Sequence, residues 1–163
     1  MNTLNIQPAD FAITTIEDEV RVDALCRDLL MIFYEELQAD GGDPVIATEL
    51  ARSADYFVRD FVVGYKQWYL FDESFSPVRP FAANWYIVNT LEPTIDELAI
   101  HLSGILSFYR FLARHDLISA SGLERITVEC GDHIFYEERI RSFWDITDDG
   151  YYEWVRLCPV KEA

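Results

Sequence analysis

Residues 129–139, ECGDHIFYEER, put a Cys, a His, an Asp and three Glu into eleven positions. Carboxylate, imidazole and thiol at that density suit two kinds of chemistry, transition-metal ligation and general acid–base work. A second pair sharpens the metal reading. Glu97 and His101 stand four residues apart, as do His133 and Glu137. If the two segments are antiparallel helices turning near Leu117, the two His lie level with each other and so do the two Glu. Two His and two Glu facing one another could hold a divalent transition metal.

Local chemistry weighs against that site. Glu97 completes a capping box with Thr94 and should reach backwards to the helix start. Glu137 has Arg141 one turn on, an ordinary i, i+4 ion pair. Di-iron carboxylate helices use Glu-x-x-His, a spacing of three, not four. Gly131 costs about 1 kcal/mol relative to Ala inside a helix, so a break before Asp132 is expected, with Asp132 as N-cap of the next helix. No metal and no cofactor is therefore expected. Nucleophile elbows, phosphate loops, dinucleotide fingerprints and HExxH are absent from the chain, and no enzymatic activity is expected. Cys26, Cys130 and Cys158 are far apart, without a CxxC pair, and read as reduced thiols.

The elements that must position these residues read as helices throughout. Three S/T-x-x-E boxes, Thr14–Glu17, Thr94–Glu97 and Ser121–Glu124, each precede an apolar run of helical period. The first helix is predicted over 16–38, with Val22, Leu25, Cys26, Leu29, Phe33 and Leu37 on one face. Gly41-Gly42 ends it, and Pro44 opens a second helix that bends or finishes at Gly64. A short helix is expected over 80–89, the clearest one over 94–115, then 121–130, 132–146 and a last turn around 151–157. No alternating stretch requires a strand. The expected fold is a single all-α domain, a bundle of about six helices over residues 1–163.

Charge narrows the partners. The chain carries 29 acidic against 13 basic residues, a net charge of −16, and residues 1–60 alone hold 13 acids against 4 bases. Acidity spread over the whole chain repels nucleic acid and anionic membrane and attracts basic peptides or basic protein faces. No apolar run is long enough to span a bilayer, and the N-terminus lacks a basic region followed by an apolar one, so a cytoplasmic location is expected. Between residues 56 and 86 the chain is rich in aromatics, Trp68, Tyr69 and Trp85 among them. Any of these left at the surface would anchor a peptide or protein partner, and the surplus is compatible with a homodimer.

The segment FYRFLARHDLIS (108–119), followed after a spacer by ECGDHIFYEE (129–138), resembles the central signature of the TorD/DmsD/NarJ family. Those are acidic, all-helical cytoplasmic chaperones for molybdenum-containing redox enzymes, which bind twin-arginine signal peptides or the apoenzyme. The resemblance covers about 30 residues, and the matching positions are Tyr109, Glu129, Asp132 and His133, with Cys130 where the family has Pro. It implies recognition of a basic and apolar peptide during redox-enzyme maturation. The peptide's Arg would pair with Asp132 or Glu129, and its apolar part would rest on Trp68, Tyr69 and Trp85. The alternative is an acidic inhibitor, immunity-type protein or adaptor that covers a basic face of its partner.

Overall fold

The computed structural model describes residues 4–157. Among them there are helices and loops but no strand, as the periodicity predicts. A 3-10 turn (Pro8–Phe11) precedes α1 (Ile16–Ala39). Helix α2 spans 44–65, α-helical over Pro44–Asp55 and π-helical over Tyr56–Tyr65. Helix α3 spans 78–89 and is π-helical over Phe81–Trp85. Then follow α4 (Ile95–Arg114), α5 (Ala120–Cys130), α6 (His133–Trp144) and α7 (Tyr151–Arg156). The helix breaks at Gly131, as its cost in a helix interior implies. Cys158 lies outside the described residues.

Helix α4 is the axis of the bundle. Leu98, Leu102, Ile105, Phe108, Phe111 and Leu112 are buried along it. It lies so close to α2 that a Cβ on Gly104 would come within 2.6 Å of both the Leu50 carbonyl oxygen and the Ser53 Cβ. Only a residue without a side chain permits that approach. Helix α1 closes the other side of α2 with Val22, Cys26, Leu29, Leu30 and Phe33. The core is largely aromatic: Phe57, Phe61, Phe81, Tyr86, Phe108, Phe111 and Tyr136 are all fully buried.

The caps depart from the sequence expectation in an instructive way. At α1 the box is Thr15 with Asp18, one residue later than Thr14–Glu17. The Thr15 hydroxyl accepts from Asp18 N at 3.1 Å, while Asp18 Oδ2 accepts from Thr15 N at 3.2 Å and from Thr14 N at 3.0 Å. The shorter Asp reaches both amides. At α4, Thr94 accepts from Glu97 N at 3.2 Å, but its own N–H donates to the Tyr86 hydroxyl instead of to Glu97. At α5 the cap is Ser119, not Ser121. Ser119 accepts from Gly122 N at 3.1 Å and donates its hydroxyl to Glu73 at 2.5 Å, so a carboxylate from a distant loop takes the place expected for Glu124.

The π-helical stretches lie in the aromatic section. Past the end of the first, Lys66 N donates to Phe61 O, a bond reaching back five residues. The wider turn re-aims successive rings. Tyr56, Phe61 and Phe81 all meet Trp85 at centroid distances of 5.3–5.8 Å.

Candidate functional site

The break between α5 and α6 brings two of the singled-out carboxylates to one point. Glu129 is in the last turn of α5, and Asp132 is the residue preceding α6. Asp132 occupies the cap position without capping, because its side chain makes no hydrogen bond to the α6 amides. It accepts from Arg79 Nη1 at 3.0 Å, and Glu129 Oε1 lies 3.6 Å from Arg79 Nε. The same guanidinium packs over Phe135, 5.4 Å from the ring centroid. Two carboxylates and an aromatic face thus meet one arginine, Asp132 by a hydrogen bond and Glu129 by ion-pair contact.

The geometry is braced from below. The Tyr136 hydroxyl donates to the Glu129 carbonyl oxygen at 2.6 Å, tying the first turn of α6 to the last turn of α5. Tyr109, on α4, is 3% exposed, and its hydroxyl is buried without a hydrogen-bond partner among the described residues, as is Glu129 Oε2. Burial, with Cys130 and Glu129 adding to it, pushes the Tyr109 hydroxyl well above the usual phenol range. Cys130 is buried too, and burial pushes its thiol up to about 12. It is a packed, neutral thiol at neutral pH.

The remaining residues separate from this cluster. His133 is exposed, and its ring has no partner among the described residues. Trp68, Tyr69 and Trp85 are half-buried and packed on the core. Trp68 meets Phe75 edge-on at 4.7 Å, and Tyr69 meets Phe71 at 5.9 Å. The section between 56 and 86 spends most of its rings on the interior.

The mirrored His–Glu constellation is not assembled. His101 sits among Tyr56, Phe81 and Tyr86, with ring centroids 5.2–6.2 Å away, and its Nε2 is 3.7 Å from Glu97. Burial lowers its pKa, and Glu97 works in the other direction. Glu137 lies 3.9 Å from Arg141, as its spacing predicts. Among the described residues no group of three or more His, Cys, Asp and Glu is placed to hold a metal ion. His101 instead borders a groove of about 780 Å³ between α2 and α4, and its Nδ1 is buried without a hydrogen-bond partner among the described residues.

Sequence reasoning does not find Arg79. A signal was present: it is the single Lys or Arg between Lys66 and Arg110, and it stands between Pro77 and Pro80. In so acidic a chain, an isolated base fixed between two prolines is a candidate partner for any carboxylate pair. No helix among the described residues is long and apolar enough to cross a membrane. Compared with protein-family models, curated proteins and solved structures, the chain matches none.

Proposed function

We propose that the protein is a non-enzymatic recognition module for a basic and apolar peptide or protein segment, with maturation of a redox enzyme as its specific setting. The observation that supports this is the arginine seat made by Glu129, Asp132 and Phe135. Arg79 fills it from within the chain. A peptide arginine entering the seat replaces one guanidinium by another, so the exchange is close to neutral and specificity comes from the flanking contacts. His133 and Ile134, both exposed in the first turn of α6, would make them.

Isothermal titration with a twin-arginine peptide tests the reading. Asp132→Asn weakens binding, because half of the seat's charge is gone. Arg79→Gln strengthens it, because the internal competitor is gone. Absence of heat with both the wild type and Arg79→Gln at high micromolar peptide sinks the proposal.

One observation favours a second reading, an acidic adaptor covering a basic face. Trp144 and Tyr152 are 58% and 81% exposed, and the exposed carboxylates Asp145, Asp148, Asp149 and Glu153 stand between and beside them in the sequence. Exposed aromatics with acidic neighbours suit a basic protein surface. Co-purification from the native host compares wild type with a Trp144→Ala, Tyr152→Ala double variant. Identical partners from both dismiss this reading and leave the arginine seat untouched.

A further inference from the structure

Charge is unevenly satisfied in this molecule. Arg21, Arg59, Arg79, Arg114, Arg141 and Arg156 each have a carboxylate within ion-pair distance. That is expected where acids outnumber bases 29 to 13. Arg27 and Arg52 have none among the described residues, and both line one cleft of about 350 Å³ between α1 and α2. Arg27 projects from α1 and Arg52 from α2, so two uncompensated guanidiniums border the same space from facing helices.

Two acids beside the cleft, Asp23 and Asp55, are already used. Arg59, on the same cleft, takes both oxygens of Asp23 at 3.0 and 3.1 Å and Asp55 at 3.1 Å. Among the described residues neither carboxylate pairs with Arg27 or Arg52. The Tyr34 and Thr48 hydroxyls, 3.4 Å apart, add polar groups to the walls. The apolar part of the lining includes Leu30 and Met31, and Met31 is 55% exposed. An unbranched thioether at a cleft mouth adapts to varied apolar shapes.

We propose that the α1–α2 cleft binds a small molecule through its oxyanion, a carboxylate or a phosphate monoester, held between Arg27 and Arg52 with the apolar remainder on Leu30 and Met31. Guanidinium forks match both oxyanions, and the cleft has the volume of a small-ligand site. The net charge of the protein does not forbid this. Distant carboxylates are screened beyond about 8 Å at physiological ionic strength, so the adjacent arginines dominate inside the cleft while the global field slows entry. The site is separate from the arginine seat at Asp132 and does not depend on the peptide reading.

Phenyl phosphate and benzoate serve as probes, titrated separately into the intact protein and followed by amide and arginine Nε–H NMR signals. For such fragments a dissociation constant on the order of 1 mM is expected, with shifts centred on Arg27, Arg52 and Thr48. Arg27→Gln and Arg52→Gln each weaken binding by about tenfold or more, the loss of one charge-assisted contact. Arg110→Gln, at an exposed arginine outside the cleft that also has no ion pair among the described residues, leaves binding unchanged. Response to phenyl phosphate alone assigns the phosphoryl class, and response to both assigns a general oxyanion site. Shifts mapping elsewhere, equal loss in Arg110→Gln, or no response to either probe overturns the proposal. Both cleft arginines are exposed, and unchanged spectra away from the cleft confirm that the variants keep the fold.

Discussion

Arg79 Nη1 donates to Asp132 Oδ2 at 3.0 Å across 53 residues of sequence, linking α3 to the start of α6. The Arg79, Asp132 and Glu129 side chains are 30%, 35% and 14% exposed, which places the cluster between a surface bridge and a buried one. Surface pairs contribute about 0–1 kcal/mol, whereas removing one partner of a buried pair costs about 3–5 kcal/mol. Arg79→Gln should therefore destabilise by about 1–3 kcal/mol, since it leaves two carboxylates facing each other without a cation. Asp132→Asn should cost less, because Glu129 remains. Urea unfolding of both variants checks the order. A larger loss in Asp132→Asn would mean that Asp132 supports the helix start rather than the arginine.

Gly104→Ala tests the α2–α4 contact. The added methyl meets the Leu50 carbonyl oxygen and the Ser53 Cβ at 2.6 Å and the Ala54 amide nitrogen at 3.3 Å. Two of these three are backbone atoms, which cannot rotate aside, so the helices must separate. Overpacking of this kind costs about 1–3 kcal/mol. For a chain of this size each 1 kcal/mol lowers the melting temperature by about 2–4 °C. An unchanged or raised melting temperature, which helix propensity alone predicts for Gly to Ala, would disprove the close approach.

Asp18 supplies a pH signature. Hydrogen bonds from the Thr14 side chain and backbone lead a set that lowers its pKa from 3.8 to about 2. A carboxylate with a depressed folded-state pKa stabilises the fold above its unfolded value and loses that contribution as pH falls through the folded one. The window here runs from about pH 4 down to about pH 2. Carboxyl NMR should place the Asp18 midpoint near the lower end, and Thr14→Val should raise it. A wild-type midpoint at the ordinary Asp value would mean that the Thr14–Thr15–Asp18 cap does not form.

The thiols should be silent in the native state. Burial raises Cys26, with Asp23 adding to it, and burial raises Cys130, with Glu129 adding to it, each to about 12. The reactive thiolate is therefore scarce at pH 8. In a Cys158→Ser background, a colorimetric disulfide reagent should label neither cysteine of the native protein and both after denaturation. Prompt labelling of the native protein would place at least one thiol at the surface.

Helix placement was legible because period and punctuation agree. Val22, Cys26, Leu29 and Phe33 of the α1 stripe are buried, with Leu25 and Leu37 half-buried on the core, and Gly131 divides α5 from α6. Cap residues were displaced by one or two positions where a competing group won: Asp18 over Glu17, and Glu73 over Glu124. The second case is a tertiary contact over 46 residues, which no local pattern encodes. The π-helical stretches also escaped, since a bond reaching back five residues leaves a short apolar run looking like an ordinary helix. At the site, Glu129 and Asp132 were readable as acids at a helix break. Their convergence depends on Arg79, which the packing of α3 supplies. The mirrored histidines failed for a related reason. Straight-hairpin arithmetic ignores helix rotation, and His101 turns into the Tyr56–Phe81–Tyr86 cluster while His133 faces solvent.

Arg139 ties α7 to α3 and α6. It is 6% exposed, and it donates to the Ala83 carbonyl at 3.1 Å, the Trp154 carbonyl at 2.9 Å and Asn84 Oδ1 at 2.5 Å. Its guanidinium also lies 3.7 Å from the centre of the Trp154 ring. One side chain thus joins α3, α6 and α7. Arg139→Met keeps most of the stem volume but strips three acceptors of this donor, each costing about 1–3 kcal/mol if it stays dry. The cheaper route is for α7 to leave and let water reach them. Arg139→Met should therefore shift Trp154 emission to the red and speed amide exchange across 151–156, while α4 amides keep their protection. Equal loss of protection in α4 and α7 would show that Arg139 supports the whole core rather than the attachment of its last helix.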